Sequence, residues 1–444
     1  MRKALRATLF AAAFLLPGGA IAQVGSETGS DRIVAAREAL RKGDRDTLER
    51  LAAVREPHVL DAYPRYWLLT NLLARSEPPP ASQLEAFLAE EAGSNLAERL
   101  RADWLRRLAK DGDWAGFVRL YAGLQNPDGE LRCAAWTARL LTGDRSALDE
   151  VAQQWDSLID AHDACDMPLR SAVGSGQVSE DQVWQRIRRQ VDTRSPAAAL
   201  ASLTLLAQDS APAPGDLDQA IRSPAPWLDR LPANFAVTRA GRELALAALV
   251  RLAREDIPGA RLRLLRIQDR LGAEERNYAN LVMAMHAAID RLPEAGALYA
   301  AAGNIEMTPL QRAWRVRTAL RAQDWRGVRS AIEAMPAQER EQPDWLYWLG
   351  RAHAASGNRD AADSLFVRIA GEPHFYGMLA AEELGQPFMP PPATAPLARD
   401  KLEEAERDPS LRRALALYQL DMRTEAIREW VWGVRDRDEQ FRLG

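Results

Sequence analysis

Lysine is nearly missing from this sequence. Of 58 basic residues only Lys3, Lys42, Lys110 and Lys401 are lysines, so the other 54 are arginines, which stay charged and fork onto carboxylates. Genomic base composition accounts for such a bias without any functional cause. The 62 acidic residues outnumber the basic ones and give a net charge of −4, or −4 − 3 = −7 once Arg2, Lys3 and Arg6 leave with an export signal. A chain of this sign is no general polyanion binder, and nucleic acid is not expected as a partner. Histidine is scarce too: His58, His162, His286, His353 and His374 never form His-Glu-x-x-His. The two cysteines lack the companion ligands of a closed metal site, so no metal is expected. No lysine sits in a Gly-x-x-x-x-Gly-Lys-Ser/Thr loop, which excludes a P-loop. Gly174-Ser175-Gly176-Gln177-Val178-Ser179 only half resembles a dinucleotide loop and follows no strand, and no Gly-x-Ser-x-Gly elbow occurs. No cofactor is expected. Alternating runs of Val, Ile and Thr are absent, which argues against strands. No long apolar run follows the N-terminal segment, so no membrane span is expected.

What is present begins with that segment. Arg2, Lys3 and Arg6 precede an apolar stretch from Ala7 to Leu16, then Pro17-Gly18-Gly19 and Ala20-Ile21-Ala22 before Gln23. This predicts a secretory signal over residues 1–22 with a small-x-small cleavage site, and a periplasmic product in a bacterium. With no cysteine after the cleavage point, lipid attachment there is not expected. The remaining 444 − 22 = 422 residues suffice for two or three domains with a sizeable core. Export places Cys133 and Cys165 in an oxidising compartment where a bond between them would persist. Closing that loop of 165 − 133 = 32 residues would stabilise the fold by about 3 to 4 kcal/mol. Two buried thiols are the alternative.

Apolar residues recur at three- and four-residue spacing nearly everywhere after Asp31, as in Ile33, Ala36 and Leu40 or Val316, Ala319 and Leu320. That is the period of a helix, and the chain reads as all-α. A recurring phrase joins the helices: a Gly or polar residue, then Asp or Asn, then a new helix. It occurs at Gly43-Asp44, Gly112-Asp113-Trp114, Gly143-Asp144, Gln323-Asp324-Trp325 and Gly357-Asn358. The Gly suits a left-handed helix end and the Asp or Asn caps the next helix. Gaps of 143 − 112 = 31 and 357 − 323 = 34 residues match stacked helix pairs. The expected architecture is an irregular α-superhelix, a solenoid of helix pairs shaped as a ring or horseshoe. Proline clusters mark joints at Pro78-Pro79-Pro80, from Pro212 to Pro226, and from Pro387 to Pro396. The segment from Leu397 to Gly444 holds at most about three helices, too little for its own core, and is expected to fray.

Carboxylate pairs such as Glu403 and Glu406 belong to solvated helix faces. A glycosidase-type acid needs a carboxyl held in an apolar cleft, and no residue qualifies from sequence. Thirteen tryptophans supply large flat anchors. Trp325, Trp345, Tyr347 and Trp348 lie close together, with Phe375-Tyr376 following. Packing between helix pairs is the ordinary role of such a group, and stacking on sugar rings is the other.

One window carries a resemblance. It runs from Arg312-Ala313-Trp314-Arg315-Val316-Arg317 through Asp324-Trp325, Asp344-Trp345-Leu346-Tyr347-Trp348 and Gly350-Arg351-Ala352. It ends at His374-Phe375-Tyr376-Gly377-Met378-Leu379-Ala380-Ala381-Glu382-Glu383-Leu384-Gly385. In this order the phrases resemble the soluble lytic murein transglycosylase family, with Trp314, Arg317, Trp345, Tyr347, Trp348, Phe375, Tyr376 and Gly377 as the motif residues. Outside the window the likeness is one of layout.

The resemblance implies a periplasmic enzyme with a superhelical ring, a small helical linker domain and a lysozyme-like catalytic domain. Such enzymes cleave the MurNAc–GlcNAc bond of peptidoglycan without water. One Glu acts first as acid and then as base while the MurNAc 6-hydroxyl closes a 1,6-anhydro ring. The family's catalytic Glu-Ser pair and its Gly-Leu-Met-Gln phrase occur nowhere in the 444 residues, so no catalytic residue is carried over. The expected organisation is a superhelical domain over 23–388, a Pro-rich joint over 389–396 and an incomplete linker domain over 397–444, with the catalytic domain absent. The expected function is to position glycan strands for a lytic transglycosylase, with peptidoglycan and other cell-wall enzymes as partners. The repeats also permit a periplasmic adaptor that binds proteins.

Overall fold

The computed structural model describes residues 29–159, 163–193, 195–387 and 399–443. The expected signal segment and the 389–396 joint lie outside them. Among the described residues there are 27 α-helices, four short 3-10 turns and no strand. None of these helices is long and apolar enough to cross a membrane. The chain divides into two compact units: Met1–Arg107 together with Leu397–Gly444, and Leu108–Pro396.

The recurring turn works as a two-sided device. At Gly43, Gly112, Gly143 and Gly357 the backbone is left-handed, with φ of 71°, 76°, 90° and 79°. The N–H of the following residue reaches back five positions to close the outgoing helix. Asp44 donates to Ala39 O at 2.9 Å, Asp113 to Leu108 O at 3.0 Å, Asp144 to Arg139 O at 2.9 Å and Asn358 to His353 O at 3.0 Å. This is the Schellman arrangement, which satisfies helix-end carbonyls. The same residue's side chain then opens the next helix. Asp44 accepts from Thr47 N, Asp113 from Gly116 N and Asn358 from Ala361 N. Asp144 departs from the pattern and accepts from Ser146 N at 3.0 Å, ahead of the helix Ala147–Gln153.

In the second unit the helix Arg239–Ala253 buries every residue from Glu243 to Val250, as expected for a helix enclosed by others. Around it pack the helices Glu180–Asp192, Pro214–Arg222, Pro224–Asp229, Ile257–Ile267 and Ala273–Ile289. Glu243, 3% exposed, accepts two parallel hydrogen bonds of 2.8 Å from Arg188, which also reaches Glu274 at 2.8 Å. Burial pulls the Arg188 guanidinium downward, but the two carboxylates outweigh it and its pKa is raised. Removing one partner of such a buried pair costs about 3–5 kcal/mol, because the other charge is left unanswered. Cys133 and Cys165 are bonded and lie inside the same core.

The first unit joins the two ends of the described chain. Glu429 on the helix Arg423–Val434 has no solvent exposure. It accepts from the Tyr63 hydroxyl at 2.9 Å, from Asn95 Nδ2 at 3.4 Å and from Arg413 Nε at 3.1 Å. Burial and the neighbouring carboxylate push the Tyr63 hydroxyl far above its usual range, so it stays protonated and donates. Trp432 Nε1 donates to Gly93 O at 3.0 Å, and Arg37 pairs with Glu425 at 2.7 Å. The segment from Arg399 is thus bound to helices near the N-terminus by buried hydrogen bonds, a tie that its own composition did not foretell.

Gln323 occupies the left-handed position with φ 55°, and Asp324 completes the turn on both sides. A side chain there carries a conformational penalty that glycine lacks. Gln323→Gly is expected to raise stability by about 0.5–1 kcal/mol, read as a higher urea midpoint at unchanged slope.

Candidate functional site

The motif residues fall on three helices of the second unit: Pro309–Arg321, Pro343–Ala355 and Phe375–Glu383. The middle helix is apolar on two sides. Trp345 packs with Ala313, Val316, Val328 and Ile332 on one side, while Tyr347 packs with Ala362, Phe366 and Ala380 on the other. Trp348 touches both clusters. Trp345 and Tyr347 are 5% and 3% exposed, so neither offers a face to a sugar.

The remaining motif residues tighten this packing. The Arg317 guanidinium carbon lies 5.3 Å from the Trp314 ring centre and 5.9 Å from that of Trp345. Cation–π contacts of this kind contribute about 0.5–1 kcal/mol when exposed. Tyr376 sits 5.6 Å from Tyr347. Arg351 donates to the Tyr347 hydroxyl at 3.0 Å and pairs with Glu383 at 2.9 Å; the tyrosine hydrogen bond leads in holding its pKa above the usual arginine range. His374 caps the last helix, its Nδ1 accepting from Gly377 N at 2.9 Å. The ring therefore donates from Nε2 to Glu372 at 2.8 Å. A side chain at Gly377 would collide with the carbonyl oxygen of Glu372 and lie 2.8 Å from that of Ile369. Phe375, 62% exposed, stands out in solvent, and Arg317 is exposed as well. The structure brings the motif residues together as a packing device.

No group of three or more His, Cys, Asp or Glu able to hold a metal occurs among the described residues. Among the described residues the buried carboxylates are Glu243, Glu275 and Glu429. Arginine meets each of them: Arg188, Arg242 and Arg413 respectively.

Cavities also lie away from the motif. In the first unit a cavity of about 570 Å³ is lined by Glu91, Ser94, Arg413 and Trp432. Burial raises the Glu91 carboxyl above its usual range. The Trp432 ring is covered by Arg435 at 3.0 Å and its N–H is taken by Gly93. In the second unit a cavity of about 890 Å³ is lined by Asp216, Gln219, Trp227, Arg230, Asn234 and Phe235. Sequence reading missed this one, and its single signal was the proline cluster from Pro212 to Pro226.

The fold is that of the helical part of lytic transglycosylases. It matches an inactive mutant of lytic transglycosylase Slt from Pseudomonas aeruginosa with a TM-score of 0.65 and 24% identity, covering 92% of this chain and 66% of that one. The 70-kDa soluble lytic transglycosylase from Escherichia coli matches with a TM-score of 0.61 and 20% identity, covering 93% of this chain and 66% of that one. The 70-kDa enzyme in complex with bulgecin A matches with a TM-score of 0.60 and 19% identity, covering 93% and 66%.

In sequence, the chain is homologous to proteins named soluble lytic murein transglycosylase. The Salmonella typhimurium protein is 23% identical over 426 aligned positions, covering 93% of this chain and 64% of that protein. The Escherichia coli protein is 23% identical over 469 positions, covering 99% of this chain and 68% of that protein. This chain therefore spans about two thirds of the length of these relatives. No protein-family model matches it.

Gly377→Ala is expected to cost about 1–3 kcal/mol, because the new methyl meets backbone that has little room to yield. Gly371→Ala, where a methyl meets nothing within 4 Å, is the control and should stay within about 0.5 kcal/mol. Thermal unfolding monitored by circular dichroism reads both.

Proposed function

We propose that these residues form the helical scaffold of a periplasmic lytic transglycosylase acting on peptidoglycan, and that they hold glycan strands without cleaving them. The observation that carries this reading is the extent of the likeness, which runs over 93% of the chain and through its all-helical fold. Residues 23–388 are assigned to the superhelical body and 397–444 to the linker segment. The export signal over residues 1–22 supports the periplasmic location.

Holding without cleavage follows from the chemistry the residues offer. Anhydro-ring formation needs one carboxylic acid with a raised pKa in a substrate-filled cleft. The buried carboxylates Glu243, Glu275 and Glu429 instead pair with arginine inside the fold; Glu91, which does line a cavity with its carboxyl raised, is followed by Ala92, and the Glu-Ser pair is not in the sequence. Extended helical arrays offer broad surfaces suited to a polymer, and arginine can pair with the carboxylates of stem peptides.

Co-sedimentation with purified sacculi at moderate salt tests the reading, with the full chain expected in the pellet and no anhydro-muropeptides in the supernatant. A chain that stays in solution contradicts the holding role, and release of anhydro-muropeptides contradicts its non-catalytic character.

A further inference from the structure

We infer that the 890 Å³ cavity of the second unit is a saccharide-binding site that takes N-acetylhexosamine units of a glycan strand. This rests on the scaffold reading and names the place where the strand is held. The cavity lies among the helix Pro214–Arg222, the helix Pro224–Asp229 and the 3-10 turn Phe235–Val237. Its volume is within the range of ligand clefts, about 300–1,000 Å³.

Three features converge on a sugar. First, Trp227 lines the cavity half-buried and rests on the core of the unit, and among the described residues its side chain has no arginine, aromatic or hydrogen-bond partner. The tryptophans at 67, 155, 184, 314 and 345 differ, since each is capped by an arginine. An indole seated on the core with part of its surface toward a cavity suits the apolar face of a pyranose. Second, Asp216, Gln219, Arg230 and Asn234 line the cavity with no side-chain partner among the described residues. Together they supply donors and acceptors in planar pairs that match neighbouring hydroxyl and acetamide groups.

Third, the wall is fixed before any ligand arrives. A side chain at Gly241 would collide with the carbonyl oxygen of Phe235, so the turn lies directly on the helix Arg239–Ala253. Arg242 donates to Ala236 O at 3.0 Å and Arg270 to Ala233 O at 3.3 Å. Thr238 caps that helix by accepting from Gly241 N at 3.1 Å. A preformed wall lowers the ordering cost of binding.

Other ligand classes fit less well. Asp216 opposes a polyanion, and Arg230 is the only arginine in the lining. A proline-rich peptide docks chiefly on aromatic planes and would leave the four polar groups unanswered.

Isothermal titration of the full chain with chitotriose, the GlcNAc trisaccharide, tests the site. One binding event is expected. Trp227→Ala should weaken it at least about tenfold, Trp227→Phe less than about threefold, and Asp216→Asn or Asn234→Ala about fivefold each. Trp430→Ala, in the other unit, should leave it unchanged. If Trp227→Ala unfolds by circular dichroism, Trp227→Phe and Asn234→Ala decide. Absence of chitotriose binding, or equal affinity in the Asp216 and Asn234 variants, overturns the assignment. Sedimentation with sacculi separates this from the broader reading. Wild type and Trp227→Ala pelleting alike overturns the cavity and leaves the scaffold standing. Wild type staying in solution overturns the scaffold, while chitotriose still decides the cavity.

Discussion

The buried carboxylate of Glu429 is the constraint on which the first unit depends. A charge with no solvent exposure has to be answered within the protein, and its three partners come from distant parts of the chain: Tyr63, Asn95 and Arg413. The Tyr63 contact spans 366 residues of sequence. These bonds tie the C-terminal helices to helices nearer the N-terminus. Ala405, Leu411 and Phe441 cluster together, while Trp432 and Glu425 tie the same helices to Gly93 and Arg37. The second unit uses the same physics at Glu243, where arginine again answers a carboxylate held by an enclosed helix.

Arginine excess therefore has a structural use, whatever its origin. A planar fork with five donors can meet two carboxylates at once, as Arg188 does, and can sit over indole rings, as Arg317 does. Lysine offers neither geometry.

Much of the fold was legible because its signals are local. Helical period and the turn phrase each depend on residues within a few positions of one another, and four of the five phrases fold as their residue types dictate on both sides of the turn. Two further turns of the same kind, at Arg291 with φ 64° and Asp421 with φ 56°, carry neither Gly nor the Asp-cap order and passed unnoticed. The buried charges were illegible for a different reason. Glu243 and Glu429 look like ordinary helix-face carboxylates until distant helices cover them. The motif aromatics could be read either as packing or as sugar platforms, and burial of Trp345 and Tyr347 decides for packing. The lining of the cavity beside Trp227 comes from one stretch, residues 212–244, whose prolines mark breaks between helices but not the hollow those helices enclose.

A tie between sequence ends makes a specific demand on local stability, because segments that share a buried charge open together. Native-state amide hydrogen exchange tests this most directly, comparing Tyr63–Leu73, Leu411–Leu417 and Ala426–Val431 in the wild-type chain and in Glu429→Gln. The account requires equal opening free energies for the three segments in wild type and a joint fall in the variant. Loss of protection confined to the two later segments, with Tyr63–Leu73 unchanged, would contradict it.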